Sequence, residues 1–538
     1  MKSILNFCCI SVLLLAASIS NSQTLLYQRN GTSVDDYFGY SVSGAGDVNG
    51  DGKPDFLVGA YLNFLCNGYA KLYSGQNGQL LYTFTPPDTD PCLDICQWFG
   101  FSAAIVGDMN SNGKSEVVVG RYYYNNAFGS ACVYSDNGTL RFNLKAQNTC
   151  GCATGAACRD TSWWFGRSVA GIGEINGDGK SDFIIGAPRA SPNGIKNAGS
   201  AFIYSGADST LICRKDGTQQ NSFFGAAVAG IGKANNDTFP DFAIGAYNYD
   251  GFGAVYVYSG AGPNYPLHLQ KFGTASGGEF GWSVAGIGDV NGDNKSDFIV
   301  GAPRTNSNKG RAIVYSGLNG NLLQTIDGAT AGDSLGYSVS GGADVDGDGG
   351  VDVIVGAPGR SSAKGTVYVY SSSGWEVIAE KSGAANGDGL GVSVSMSGDM
   401  NGDGRAEFVV GAPYASPGGV HEAGSAYVYY LPEFPPVPRV NGNSIPDVFS
   451  LDQNYPNPFN PATSIQYRLA EPSNVDLKIF NILGQEVVSL VNEFKGAGQH
   501  QVAWDGKDQK GRLVPAGIYI YKIQAGDFVQ SKKMLLLK

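Results

Sequence analysis

Apolar positions in this chain fall in short runs of four to six residues, rich in Val, Ile and Tyr and broken by Ser-Gly, Asn-Gly and Asp-Gly pairs. Such runs read as β-strands bounded by turns. A helical solenoid would need amphipathic runs of ten or more residues, and none occur in the repeated region. The pattern itself repeats. Phe/Leu-Gly opens each copy, small residues follow, an acidic loop of the form Asp-x-Asn-Gly-Asp-Gly-x-x-Asp comes next, and an apolar run ending in Gly-Ala closes it. Seven copies begin at Phe38, Phe99, Phe165, Phe224, Phe280, Leu335 and Leu390, roughly 55–65 residues apart. In the fifth, strands are predicted at 282–285, 297–301, 311–315 and 321–325. Four short strands per unit, repeated seven times, predict an all-β chain with a seven-bladed β-propeller.

The ends of the array support that count. The seventh copy has a third strand at 425–429 and then runs into proline, whereas an orphan strand at 24–28 precedes the first copy. The N-terminal strand is therefore expected to complete the last blade and close the ring, leaving no open edge.

The acidic loop follows the logic of calcium loops. Side-chain oxygens at positions 1, 3, 5 and 9 and a backbone carbonyl at position 7 surround a hard cation, and position 6 turns sharply on Gly or Asn. The first loop offers Asp47, Asn49, Asp51, Lys53 (through its carbonyl) and Asp55. The second offers Asp108, Asn110, Asn112, Lys114 and Glu116; the third Glu174, Asn176, Asp178, Lys180 and Asp182. The fifth has Asp289, Asn291, Asp293, Lys295 and Asp297; the sixth Asp344, Asp346, Asp348, Gly350 and Asp352; the seventh Asp399, Asn401, Asp403, Arg405 and Glu407. One such loop could be an ordinary hairpin turn, but six in register predict about six structural Ca2+ ions. The fourth copy departs: Lys233 stands at position 1 and Thr238 at the turn, so no calcium is expected there, with the Lys233 ammonium placed near Asp237 and Asp241 instead. The second loop, with two carboxylates, should be the weakest of the six.

Composition refines this picture. The net charge of −11 argues against non-specific nucleic-acid binding. Eighteen Asp/Glu stand at ligand positions of the six loops, so six divalent cations would bring the protein near neutrality. Residues 1–22 read as a secretory signal, with Lys2, an apolar core from Ile10 to Ala17 and a small-x-small site at Ser20-Asn21-Ser22. The core is too short to span a bilayer, and nothing later reads as a transmembrane helix. Eight cysteines follow (Cys66, Cys92, Cys96, Cys132, Cys150, Cys152, Cys158 and Cys213), an even number that favours disulfides in an exported chain. Zinc on Cys150, Cys152 and Cys158 is the rival reading, against which stands the lack of a Cys-x-x-Cys pair.

With Phe-Gly, the acidic loop and Gly-Ala-Pro (Gly186-Ala187-Pro188, Gly301-Ala302-Pro303, Gly356-Ala357-Pro358, Gly411-Ala412-Pro413), residues 23–430 resemble the FG-GAP repeats of the integrin α-subunit propeller and its bacterial relatives. The resemblance implies calcium, seven blades and adhesion or ligand binding. It departs at Gly120-Arg121 and in the fourth loop, and the integrin stalk and inserted domains are not in this chain. Residues 431–448 read as a stiff linker built on Pro432, Pro435, Pro436 and Pro438. Beyond it, alternating strands at 464–469, 475–480, 499–504, 517–522 and 531–537 predict a small β-sandwich over 449–538. Asn454-Tyr455-Pro456-Asn457-Pro458-Phe459-Asn460-Pro461, Ile479 to Gln485, Ala516-Gly517-Ile518-Tyr519 and Lys532-Lys533-Met534 resemble the C-terminal sorting domain of the type IX secretion system. That resemblance implies passage through both membranes by that machinery, followed by release or surface attachment. The plainer reading is an Ig-like adhesive domain.

Strand parity assigns the faces. Cation loops join strands 1 and 2 and share one face; the 2–3 loops and the connections between blades share the other. The second face collects Tyr61, Phe64, Trp98, Tyr122, Tyr123, Tyr124, Trp163, Trp164, Tyr247 and Tyr249, with six of the eight cysteines. Aromatic loops on a rigid scaffold suit binding, although the same residues could simply pack those loops. A secreted or surface adhesin binding an unknown glycan or protein ligand is the leading class, a matrix protein the second, and a polysaccharide-degrading enzyme the third. The chain has three isolated histidines, His268, His421 and His500, no nucleophile elbow and no phosphate loop. Its clustered carboxylates are nearly all committed to calcium, leaving no convincing catalytic pair.

Overall fold

The computed structural model describes residues 23–63, 67–87, 97–124, 128–146, 162–262, 264–431 and 449–537, the last without 455, 461, 470–472, 496–497, 511 and 527. The signal segment, the linker from 432 to 448, Phe64 and the cysteines at 66, 92, 96, 150, 152 and 158 lie outside the described residues. The chain divides into two compact units, Met1–Glu433 and Phe434–Lys538.

The first unit is a seven-bladed propeller, each blade a four-stranded antiparallel sheet. Blade 5 runs Ser283–Gly288, Asp297–Gly301, Arg311–Tyr315 and Leu322–Asp327. The second strands are buried along their whole length, as in Asp182–Ala187 and Asp241–Ala246, because they lie between two sheets. Ring closure follows the predicted route. Thr24–Asn30 pairs antiparallel with Ser425–Tyr430, Thr24 opposite Tyr430 and Asn30 opposite Ser425, and so forms the outer strand of blade 7.

The repeated glycines are explained by contacts across blade boundaries. Phe99 bridges to Gly68 of the preceding blade, and the same pairing recurs around the ring to Phe38 with Gly424. These opening Phe rings are almost wholly buried. The Gly100 backbone is left-handed, at φ +85°, and its carbonyl lies so near Gly59 that a Cβ there would sit 2.1 Å from the oxygen. The same carbonyl accepts the Ser41 hydroxyl at 2.9 Å. Ser102, Ser168, Ser283, Ser338 and Ser393 each donate likewise to the Phe/Leu-Gly carbonyl of the next blade, the last back to Gly39 at 2.7 Å. Blade 4 has Ala227 at this position and lacks the bond.

The second unit is a β-sandwich of a three-stranded and a four-stranded sheet around Tyr467, Trp504 and Tyr521. It includes a strand, Glu486–Lys495, that was not predicted from sequence. The Asn454 motif is part of its frame. Asn454 is buried, donates to Thr463 Oγ1 at 2.9 Å, and its backbone N–H donates to the Tyr521 hydroxyl at 2.7 Å. Phe459 fills the core and its backbone brackets the last strand, accepting from Leu537 and donating to Leu535.

Candidate functional site

All seven acidic loops close on their ninth residue. Asp55 is fully buried and accepts the Val48 and Asn49 amides at 2.9 and 3.0 Å, then the Gly75 amide of the 3–4 turn at 3.1 Å. This carboxylate therefore ties two loops together before any ion is considered. Burial pushes Asp55, Asp182 and Asp297 up to about 6, and Glu116, Asp352 and Glu407 up to about 7, against the lowering effect of the amide bonds. The first, third and fifth residues turn inward. Asp47 accepts the Gly50 and Gly52 amides at 2.6 and 2.7 Å, Asn49 the Asp51 amide and Asp51 the Lys53 amide.

Six loops share one backbone signature: positions 4 and 6 are both left-handed, for example Gly50 and Gly52, Ser111 and Gly113, or Gly292 and Asn294. In the fourth loop neither Asn236 nor Thr238 is left-handed. The expected approach of the Lys233 ammonium to Asp237 and Asp241 does not occur. Asp237 already accepts the Ser259 hydroxyl at 2.7 Å, and Asp241 the amides of Ala234, Asn235 and Gly260, so the exposed Lys233 side chain makes no ion pair among the described residues. In the sixth loop the fit to a cation is plain. Carboxylate oxygens of Asp344, Asp346 and Asp348 lie within 4.8 Å of one another, and beside them Asp352 Oδ1 is buried with no hydrogen-bond donor. Asp399, Asp403 and Glu407 converge similarly in the seventh. Clustered, desolvated oxygens of this kind suit a hard divalent ion.

The opposite face carries a crown of touching rings. Tyr61 packs on Tyr37, Tyr40 and Phe101 at centroid distances of 5.0, 4.6 and 5.6 Å. Trp98 stacks on Tyr123 at 5.0 Å, and Tyr122 joins Phe101 at 4.5 Å to Trp164 at 5.3 Å. Tyr247 meets Phe223 at 5.2 Å and Trp282 at 5.2 Å. Tyr61, Tyr122 and Tyr247 occupy the place that Pro holds in the Gly-Ala-Pro copies, and each puts a ring into the crown there. Burial raises the Tyr61 and Tyr122 hydroxyls, so they stay protonated donors at neutral pH.

The residue before each Phe/Leu-Gly is left-handed in every blade, and in four of them it is aromatic: Tyr37, Trp98, Trp164 and Phe223, with φ between 52 and 56°. A left-handed non-glycine costs about 1–2 kcal/mol. Two predicted face residues lie elsewhere. Trp163 is 7% exposed and stacks on Phe202 in the core, because the left-handed turn at Trp164 sends adjacent side chains to opposite sides. Tyr249 packs against Tyr256 and Phe272 at the outer strands, away from the axis. Tyr124 lies under the Arg121 guanidinium at 3.8 Å. Sequence reasoning missed Tyr40, Phe101, Arg167, Trp282 and Tyr337, which line an axial cavity of about 270 Å³ at the mouth of the ring. Their signal was available: the residue after Phe/Leu-Gly varies between copies while its neighbours hardly change. Of the cysteines within the described residues, Cys132 is a buried thiol donating to Asn143 at 3.8 Å, and Cys213 is a free thiol that burial pushes up to about 11.

Residues 38–80, 165–204, 280–315, 335–370 and 390–429 match the FG-GAP repeat family, and residues 459–527 match the FlgD Ig-like domain family. The chain is 33% identical over 226 residues to integrin alpha-8 of Mus musculus, covering 38% of this chain and 20% of that protein. It is 34% identical over 215 residues to integrin alpha-5 of Xenopus laevis, covering 36% and 20%. It is 30% identical over 287 residues to integrin alpha pat-2 of Caenorhabditis elegans, covering 48% and 22%. The chain thus spans about a fifth of the length of these curated relatives. Among solved structures, PorZ, a surface component of the type IX secretion system of Porphyromonas gingivalis, aligns with a TM-score of 0.44 and 13% identity, over 93% of this chain and 59% of that one. The repeats, the blade order and the integrin relatives agree on FG-GAP repeats in a β-propeller similar to that of integrin α chains, followed by an Ig-like domain.

Proposed function

We propose that this protein is an exported, calcium-binding propeller that works without catalysis, as an adhesion or ligand-binding module at the cell surface. The observation that carries the reading is the aromatic crown, in which four of seven blades hold an aromatic residue in a left-handed conformation on one face. The left-handed backbone is common to all seven blades, so what sets blades 1 to 4 apart is the aromatic side chain each places there, all on one surface. The cation loops lie on the other face and would hold about six Ca2+ ions as structural ligands, with the fourth loop empty of metal by its chemistry. The C-terminal domain is proposed as the address read by type IX secretion machinery, on the strength of its Asn454 to Pro461 and Lys532-Lys533-Met534 segments. Export that persists after deletion of residues 449–538 would remove that part.

The ligand face is tested with Tyr123→Ala combined with Trp164→Ala in the full exported chain. Binding to cells or to a glycan array should fall about tenfold or more, as for loss of two central aromatic anchors. Unchanged binding refutes the assignment, and release of soluble sugar fragments from a bound polysaccharide would replace the binder with an enzyme.

A further inference from the structure

We infer that the axial cavity at the centre of the crown is a subsite for the carboxylate of an acidic sugar, with Arg167 as the anion-binding group. The inference rests on the proposed ligand face and names what that face accepts at its centre.

The cavity is lined by three successive residues per blade, and its outermost layer is the position after Phe/Leu-Gly. Four residues of that layer are aromatic (Tyr40, Phe101, Trp282 and Tyr337), and Arg167 is the single charged side chain lining the cavity among the described residues. The guanidinium lies 4.6 Å from the Phe101 ring centre and 6.0 Å from that of Trp282. Its side chain makes no hydrogen bond or ion pair among the described residues. The layers beneath it leave its five N–H donors unbonded among the described residues. The serine hydroxyls are turned to carbonyls of the next blade, and below them come Val42, Val169, Val284 and Val339.

The charges divide by sector: Glu422 and Asp35 act on Tyr37 on the blade 7 to blade 1 side, with Glu422 reaching Tyr61 and Tyr414, while the arginines gather on the side of blades 3 to 5. Glu279, beside the mouth in blade 5, is bonded to Arg304 at 3.1 Å. Arg189 stacks over Trp164 at 4.1 Å, and its Nε is buried without a partner. Arg167, Arg304 and Glu279 all act on Tyr337, and Arg167 on Tyr40. A guanidinium held between ring faces, with its in-plane donors unmet, is shaped for bidentate carboxylate.

The remaining features select the kind of anion. A cavity of about 270 Å³ admits a single ring-sized unit. Its walls are aromatic faces, which suit the apolar face of a pyranose, and the Tyr40 and Tyr337 hydroxyls can meet sugar hydroxyls. Around the mouth, Tyr61, Trp98, Tyr123 and Trp164 continue the aromatic surface outward, with rings both stacked and edge-on to one another, so neighbouring sugar units of a chain have apolar contacts available. A peptide strand would want an open sheet edge. The outer strands that provide edges lie at the periphery of the blades, away from this axis. The observations therefore favour a uronic-acid glycan over an acidic peptide.

The test is calorimetric titration of the full chain, at fixed calcium, with a short oligouronate, its methyl-esterified form and an oligoglutamate. The oligouronate should bind, esterification should abolish the effect, and Arg167→Gln should weaken it about tenfold or more, the loss expected for one charge-assisted bidentate pair. Arg167→Lys should retain part of the affinity. Melting temperature of the variants serves as the folding control, with only a small drop expected from loss of the ring contacts to Phe101 and Trp282. No oligouronate binding, binding that survives Arg167→Gln, or equal binding of oligoglutamate overturns the inference. If the Tyr123 and Trp164 double variant still loses cell or glycan binding in those cases, the ligand face stands while this subsite falls. If neither set of substitutions matters, both fall.

Discussion

Replacing Asp241 by Ala separates what the acidic loop does for folding from what it does for calcium. Asp241 is fully buried in blade 4, the copy whose position 1 is Lys233. Its carboxylate accepts the Ala234, Asn235 and Gly260 amides at 2.9, 3.1 and 3.0 Å, and the Asn235 side-chain amide at 3.0 Å. Alanine leaves at least two buried N–H groups without an acceptor, at about 1–3 kcal/mol each, while relieving the cost of holding a carboxylate out of water. The net loss should be about 2–4 kcal/mol. At about 2 cal/mol/K per residue over roughly 400 residues, the melting temperature should drop by about 2–5 °C. Because this loop is proposed to hold no ion, the drop should be the same in calcium and in chelator. Asp297→Ala in blade 5 removes an equivalent tie to Val290 and Gly317, both at 3.0 Å. It should match Asp241→Ala in chelator and exceed it in calcium, by up to about 3 kcal/mol if the ion stands at a hundred times its Kd. Scanning calorimetry of the two variants under both conditions decides the matter. A calcium-dependent loss at Asp241, or identical losses at the two sites in calcium, would refute the division between metal-free and metal-bearing loops.

The inter-blade serine ring predicts a stabilising change. Ala227→Ser supplies the missing hydroxyl opposite the Gly281 carbonyl, and urea unfolding should show a gain of about 0.5–1.5 kcal/mol, against a loss of similar size for Ser168→Ala. Deletion of residues 24–30 should leave Ser425–Tyr430 as an open edge, and light scattering should then show larger, concentration-dependent assemblies than the full chain forms. A truncated chain that grows no larger than the full chain at high concentration would show that the edge is protected in some other way.

The sequence made the architecture legible because every copy repeats the same geometric demand. Glycine at 100 and 59 is required by one close carbonyl approach, and Asp at position 9 by one set of buried amides, so the spacing of those residues reports contacts directly. Ring closure was legible for the same reason, since a strand was missing at one end and spare at the other. The ligand face was only partly legible. Trp163 and Trp164 are identical in the sequence, and the single left-handed residue that sends one to the core and the other to the rim has no counterpart in hydropathy. Lys233 is exposed and makes no ion pair among the described residues, while Asp237 and Asp241 are held by Ser259 and by three backbone amides, contacts that the charge pattern alone does not reveal.

The two faces use the repeat in opposite ways. On the cation-loop face, the repeated residues converge on one solution, and the loops are chained to each other: the Ser115 amide donates to the Asp47 carbonyl, Ser181 to Asp108 and Ala406 to Asp344. Lys53 of blade 1 reaches Asp399 of blade 7 at 3.2 Å, so the chain of contacts crosses the closure point. Variation there would weaken the ring. On the other face, the positions on either side of Phe/Leu-Gly are constrained in backbone but not in side chain. Blade 7 fills the left-handed position with Gly389, the least strained choice, blades 5 and 6 with Glu279 and Ser334, and blades 1 to 4 with Tyr, Trp, Trp and Phe. At about 1–2 kcal/mol each, the four aromatic residues cost about 4–8 kcal/mol relative to glycine, comparable to the whole stability of many domains. Contacts within the crown recover part of that cost, as the Trp98–Tyr123 and Phe223–Tyr247 stacks show. They do not explain why all four fall on one continuous arc, nor why the next position inward on that arc holds Arg167 rather than another ring. A ligand that rests on the arc and presents an anion to its centre accounts for both.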